Sequence, residues 1–343
     1  MTETITISVD AMGGDNAPRA PLHGAKLLLR EHPDARFIFH GREEVLTPLL
    51  EEFSELKAVS QIRHSENVIT MDDKPSQALR KGRGTSSMWA TIQSVKDGEA
   101  DVAISGGNTG ALMAMATFCL RTMEGISRPA ISAIWPTLRS DIVVLDVGAT
   151  IGADAQQLVD FSILGSALAR ALFDIESPTI GLLNVGVGKI LAETSGAGFT
   201  YKGFVEGDDL GKGTVDVVVT EGFTGNIALK TAEGTARQVG TYLRNAMTSS
   251  LMSKIGAVFA RGALNAIRSK MDPRTVNGGV FLGLNGVVIK SHGGTDEIGY
   301  KSALSVAYEM ARNDLLAKIG EGMKRFPALA LPAEPSNLEA PSA

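Results

Sequence analysis

Short apolar runs ending in small or polar turns recur along this chain, with helix-spaced stretches between them. Ile5, Ile7 and Val9 alternate with Thr6 and Ser8, the period of a strand, and lead into Asp10 and the turn Gly13-Gly14-Asp15-Asn16. Helical spacing through about Leu29 follows, then a strand at Arg36 to His40 and an acidic helix near Glu43 to Glu52. Val102 to Ser105 enters Gly106-Gly107-Asn108-Thr109-Gly110, behind which Ala111 to Arg121 has the composition of a buried helix. Ile142 to Asp146 enters Val147-Gly148-Ala149, and Ile180 to Leu183 enters Asn184-Val185-Gly186. Val215 to Val219 enters a turn running through Thr224-Gly225-Asn226, and Val287 to Lys290 enters Ser291-His292-Gly293-Gly294-Thr295 before a final helix to about Ile319.

Strands alternating with helices of about 10 to 15 residues predict a Rossmann-like, three-layer α/β/α fold with a mostly parallel sheet. One domain is expected over residues 1–326, with a protruding helical portion near 225–280 that is dimerisation- or membrane-facing. Residues 327–343 hold four prolines and little periodicity, predicting a disordered tail. Loops at the carboxyl ends of parallel strands line ligand crevices, so these turns are expected to share one site. Each alone is an ordinary strand-to-helix connection; together they point to a ligand.

The first turn has the makings of an anion cradle. Gly13 and Gly14 permit close backbone approach, and Asp15 or Asn16 can cap a helix with Pro18 in its first turn. The carboxylates of Asp10 and Asp15 repel a phosphate unless a cation, proton or donor intervenes, and the plainer reading is a tight turn with a capping aspartate. Gly186-Val187-Gly188-Lys189-Ile190 fails as a Walker loop, because Ile190 is not Ser or Thr and Leu183 stands at the first glycine position. No G-x-G-x-x-G follows the first strand.

Composition narrows the classes. The 343 residues, 44% hydrophobic and 21% charged, suit a soluble globular protein, and a net charge of -5 with no basic tract argues against nucleic acid. Cys119, the single cysteine, lies in an apolar helix and reads as core, and no Cys/His cluster has zinc spacing. No metal or cofactor is demanded. Neither a signal sequence nor a run near the ~20 apolar residues of a membrane span is present, so a cytoplasmic location is expected. Met247 to Met271 carries Lys254, Arg261, Arg268 and Lys270 without an acid, amid Leu251, Ile255, Val258, Phe259 and Ile267 at near-helical spacing. That pattern suits an interhelical or dimer interface first, and an anionic membrane surface second.

The run from Val9 to Pro18 resembles the opening signature of the bacterial phosphate acyltransferase family PlsX. Ser86-Ser87-Met88, Ile104 to Leu112, Leu145 to Ala149, Gly181 to Gly186 and Val219 to Asn226 resemble its further blocks, in its order, over about residues 5 to 320. The resemblance implies transfer of a long-chain acyl group from acyl-acyl-carrier-protein to inorganic phosphate, giving acyl phosphate for phospholipid synthesis. It also implies a homodimer, peripheral membrane association and a downstream membrane glycerol-3-phosphate acyltransferase. On this reading phosphate lies among Gly13, Gly14, Asp15 and Asn16, the turn of Ser105, Gly106, Gly107, Thr109 and Gly110, and a cation, Lys189 or Lys81. Asn184, Asn226 or backbone amides would face the thioester oxygen, Asn108 is a further candidate donor to the transition state, and His292 and Asp10 would orient groups or move a proton. Asp146, Gly148, Thr224 and Gly225 would contact substrate. Lys74, Arg80, Lys81 and Arg83 could neutralise phosphate or meet an acidic carrier protein; a solvated helix face is the plainer account. Family members usually carry a longer segment where this chain has only Val187 to Thr200, which puts the lysine at 189 in question. The rivals are a short-chain acyl-CoA phosphate transacylase and a catalytically weak membrane-associated interaction protein.

Overall fold

The computed structural model describes residues 4–183, 198–270 and 272–325; Asn184, Lys189 and the expected tail at 327–343 lie outside them. The chain begins β1 (Ile5–Asp10), α1 (Arg19–Glu31), β2 (Ala35–Gly41), α2 (Glu43–Glu51), α3 (Ser54–Lys57), β3 (Ser60–His64), α4 (Pro75–Gly82) and α5 (Ser87–Lys96). It continues β4 (Val102–Ser105), α6 (Thr109–Leu120), β5 (Ala130–Trp135), β6 (Ile142–Leu145), α7 (Ala155–Phe173), β7 (Thr179–Leu182), β8 (Thr200–Phe204), α8 (Asp209–Lys212) and β9 (Val217–Val219). Three helices follow, α9 (Gly222–Thr248), α10 (Leu251–Phe259) and α11 (Arg261–Lys270), and then β10 (Gly279–Leu282), β11 (Val287–Lys290), α12 (Glu297–Arg312) and α13 (Leu315–Arg325).

Among the described residues the strands form one sheet in the order β3-β2-β1-β4-β11-β10-β5-β6-β9-β7-β8. Alternate side chains enter opposite cores, as period two requires. Val102, Ile104, Val287, Ile289, Val143, Leu145, Val217 and Val219 join one core with α1, α7, α12 and α13. Ala103, Val288, Ile142, Val144 and Val218 join the other with α4, α5 and α6. These are the three expected layers, and the sheet is mostly parallel.

Two strands interrupt it. β10 lies antiparallel to both β11 and β5, and β5 lies antiparallel to β6. Hence β6, β9, β7 and β8 run opposite to β1, β2, β3, β4 and β11. The turns after β6 and β9 therefore leave the opposite edge from those after β1, β4 and β11, which corrects the expectation of a single shared edge.

Helix α9, 27 residues long, buries only Gly222 and Gly225, and α10 buries none. Leu251, Met252, Val258 and Phe259 are each more than two-thirds exposed. No described helix is long and apolar enough to cross a membrane.

Candidate active site

Three turns interlock at the ends of β1, β4 and β11. Asp15 N–H donates to the Gly293 carbonyl at 2.8 Å, and Ser291 N–H to the Ser105 carbonyl at 2.9 Å. Neither Asp15 nor Asn16 caps α1, as the sequence had suggested: Pro18 holds the cap position without a side-chain bond. Asn16 instead donates its amide to the carbonyls of Thr295 at 2.9 Å and Gly294 at 3.3 Å, tying the first turn to the last. Gly14 has φ +104°, and a Cβ there would meet the Gly293 carbonyl at 2.9 Å. Gly14→Ala should therefore cost about 1 to 2 kcal/mol through the left-handed backbone alone, read as a lowered unfolding midpoint. A wild-type midpoint would remove this account.

Beneath these turns lies a buried charge network. Asp10 is 1% exposed; Oδ2 accepts from the Ser105 hydroxyl at 2.6 Å, and Oδ1 has no partner among the described residues. Burial pushes its carboxyl up, while the Ser105 and Ser87 hydroxyls and Lys290 pull the other way. Ser105 Oγ accepts in turn from Gly107 N–H at 3.0 Å. Asp10 thus sits under the site, behind Gly13, whose Cβ would meet Oδ2 at 2.4 Å. Lys290 is the residue the sequence reading missed. Its ammonium, in a residue 8% exposed, donates to the carbonyls of Gly106 at 3.4 Å and Ser291. Burial pulls its pKa down to about 8 against the opposing charge of Asp10. The signal was one cation ending the apolar run Val287-Val288-Ile289.

Asn108 caps α6, with Oδ1 accepting from Ala111 N–H at 2.9 Å. Its amide donates to the carbonyls of Met71 at 2.6 Å and Asp73 at 3.2 Å. That side chain thus straps the 71–73 loop to the start of α6, and both its amide hydrogens are engaged there. Thr109 and Gly110 begin α6, where backbone N–H groups have no intrahelical acceptor and suit an anion. Lys81 is exposed at the end of α4 and lies 4.0 Å from the carboxylate of Asp73.

His292 completes this group. Gly294 N–H donates to its Nδ1 at 3.3 Å, which assigns the proton of the neutral ring to Nε2. Desolvation, with Lys230 adding to it, lowers its pKa, so near neutral pH Nε2–H is a donor. Gly13, Asn16, Gly106, His292, Gly293 and Tyr300 line a small hollow.

A second cluster surrounds Asp146. Oδ1 accepts from the N–H groups of Ile131, Gly148 and Ala149 at 2.9 to 3.1 Å, and Oδ2 from Thr150 N–H and Oγ1–H, both at 2.8 Å. The carboxylate is wholly buried. In this structure every acceptor direction of Asp146 is taken by the main chain and the Thr150 hydroxyl that it holds. Gly225 packs so closely that a Cβ would lie 1.9 Å from the Asp146 carbonyl. Gly148 faces the Asn226 side chain, 3.8 Å from its own Cβ position. Thr224 gives its N–H to the capping Glu221 at 2.7 Å. Asn226 is exposed, and its amide makes no hydrogen bond among the described residues.

α9 bridges the clusters. It starts at Gly222, and Lys230, one turn beyond Asn226, is close enough to depress the pKa values of both Lys290 and His292. Lys230 pairs with Glu233 at 3.0 Å. An anion cradle and an amide side chain thus flank one basic helix segment, an arrangement suited to an oxyanion acceptor and a carbonyl donor.

The α/β fold is similar to that of a phosphotransacetylase from Streptococcus pyogenes, which aligns with TM-score 0.60 at 18% identity, over 90% of this chain and 94% of its own. The EutD phosphotransacetylase from Staphylococcus aureus aligns with TM-score 0.55 at 15% identity, over 92% and 95%. Those likenesses concern the fold alone. The family described as fatty acid synthesis protein matches residues 5–318. A phosphate acyltransferase of Sinorhizobium fredii (strain NBRC 101917 / NGR234) is 57% identical over 344 residues, covering 96% of this chain and 99% of its own. One from Brucella ovis (strain ATCC 25840 / 63/290 / NCTC 10512) is 58% identical over 334 residues, covering 94% and 96%. The chain belongs to this family of phosphate acyltransferases and is an acyltransferase enzyme.

Proposed function

We propose that this enzyme transfers a long-chain fatty acyl group from acyl carrier protein to inorganic phosphate, releasing acyl phosphate for phospholipid synthesis. The observation that carries the reading is the interlocked glycine cradle with Lys290 beneath it, Lys230 and His292 beside it and, on the same helix as Lys230, the Asn226 amide, which makes no hydrogen bond among the described residues. Phosphate is anionic at neutral pH and attacks directly. A phosphate oxygen bonds the thioester carbon, Asn226 steadies the oxyanion, the C–S bond breaks, and the leaving thiolate takes up, through water, the proton that the hydrogen phosphate gives up, while His292 Nε2–H donates a hydrogen bond that orients the phosphate. The exposed apolar residues of α10, with Lys254 and Arg261, support a homodimer and a peripheral seat on an anionic membrane. From a cytoplasmic position there, the product would pass to a membrane glycerol-3-phosphate acyltransferase.

The test is hydroxylamine trapping of acyl phosphate from palmitoyl-acyl-carrier-protein and phosphate, with palmitoyl-CoA and acetyl-CoA in parallel. Phosphate-dependent hydroxamate from the carrier-protein donor is expected. Product from acetyl-CoA alone would transfer the assignment to short-chain CoA chemistry, and no product from a folded protein would end the catalytic reading.

A further inference from the structure

The buried floor of the cradle carries more than packing requires. Lys290 ends a strand whose other side chains, Val287, Val288 and Ile289, are all buried and apolar. A methionine would fill that space without the desolvation that an ammonium suffers there. The ammonium instead binds two main-chain carbonyls from different turns, Gly106 after β4 and Ser291 after β11. Asp10 reaches the same β4 turn through Ser105, whose hydroxyl also holds Gly107 N–H. One buried opposite-charge set thus braces three strand ends, and Asp10 Oδ1 has no partner among the described residues.

We propose that Lys290 is a positioning residue for phosphate, its ammonium holding the Gly106 and Ser291 turns together and placing a positive charge under the bound anion. This rests on the phosphate-transfer reading above. The groups facing Lys290 are Asp10 from β1, Asp15 from the turn after it, and Lys230 from α9, with His292 two residues along; Tyr300 from α12 faces Asp10. The pKa of about 8 makes the brace titratable: the charge is present below that pH and is lost as pH rises through it. Stability moves the other way. The unfolded chain retains the lysine proton up to its ordinary range, so between about 8 and 10 this group makes the folded state more stable as pH rises. A decline in phosphate affinity there is therefore not unfolding caused by Lys290.

The experiment is calorimetric titration of inorganic phosphate into the full chain at pH 7.5 to 9.5, where phosphate is largely dianionic. Wild type, Lys290→Met and Asp10→Asn are compared, with hydroxamate trapping and thermal unfolding alongside. Wild-type affinity is expected to fall about tenfold over that range, the effect of losing one charge-assisted contact. Lys290→Met is expected to bind weakly and without that pH dependence. Asp10→Asn, which removes the charge that favours the ammonium, should shift the decline to lower pH, and it tests the idea independently should Lys290→Met fail to fold. A pH-independent wild-type affinity, a wild-type profile in Lys290→Met, or no shift in Asp10→Asn overturns the proposal. Turnover with pH-independent phosphate affinity defeats the brace alone; normal phosphate titration without turnover from any thioester defeats the transfer reading alone.

Discussion

Asp146→Ala is expected to lower folding stability by about 3 to 5 kcal/mol, because it strands buried donors that have no second acceptor. Those donors are the N–H groups of Ile131, Gly148, Ala149 and Thr150 and the Thr150 hydroxyl. The damage should spread to α9, since Gly222 N–H donates to that hydroxyl at 3.1 Å and Gly225 packs on the Asp146 carbonyl. Urea unfolding measures it. A stable variant with a specific defect in thioester KM would return Asp146 to a substrate-contacting role.

The second large effect is catalytic. Asn226→Ala should reduce kcat about 100-fold, the loss typical of one oxyanion donor, with an unchanged unfolding midpoint because the exposed side chain bonds nothing else described. Asn108→Ala should behave oppositely. It removes the α6 cap and the strap to Met71 and Asp73, costing about 1 kcal/mol or more of stability. Trapping kinetics and thermal melts on the same two preparations separate the roles. Equal kcat in Asn226→Ala and wild type would eliminate the oxyanion assignment.

The layers were legible because short apolar, β-branched runs are a local signal: Ile5 to Val9, Val102 to Ser105 and Val287 to Lys290 are strands where the pattern put them. Strand direction was not. An alternating run reads the same whichever way it points, and the reversal depends on Ala130–Trp135 and Gly279–Leu282, short strands that the sequence reading passed over. Glycines likewise marked the turns without saying what approached them. At Gly13, Gly14 and Gly225 it is another part of this chain that comes close. Asn108 and Asp146 have the residue types of catalytic groups, but distant loops consume their hydrogen-bonding capacity, a fact that exists only after folding. Lys290 was overlooked for the converse reason: a lysine at a strand end normally points to water, and only the crossing of three turns encloses this one.

The pairing of β4 with β11, Val102 beside Val287, has a consequence for biosynthesis. A nascent chain still short of residue 290 contains β1 and β4 but lacks the strand that supplies Lys290 and the helix that supplies Tyr300. The Asp10 carboxylate then has no nearby ammonium, and one side of β4 is an open hydrogen-bonding edge. Long-range closure of this kind is slow and leaves sticky intermediates. The glycine cradle is consequently assembled late on the ribosome, and chaperone demand should be greatest while that edge awaits its partner.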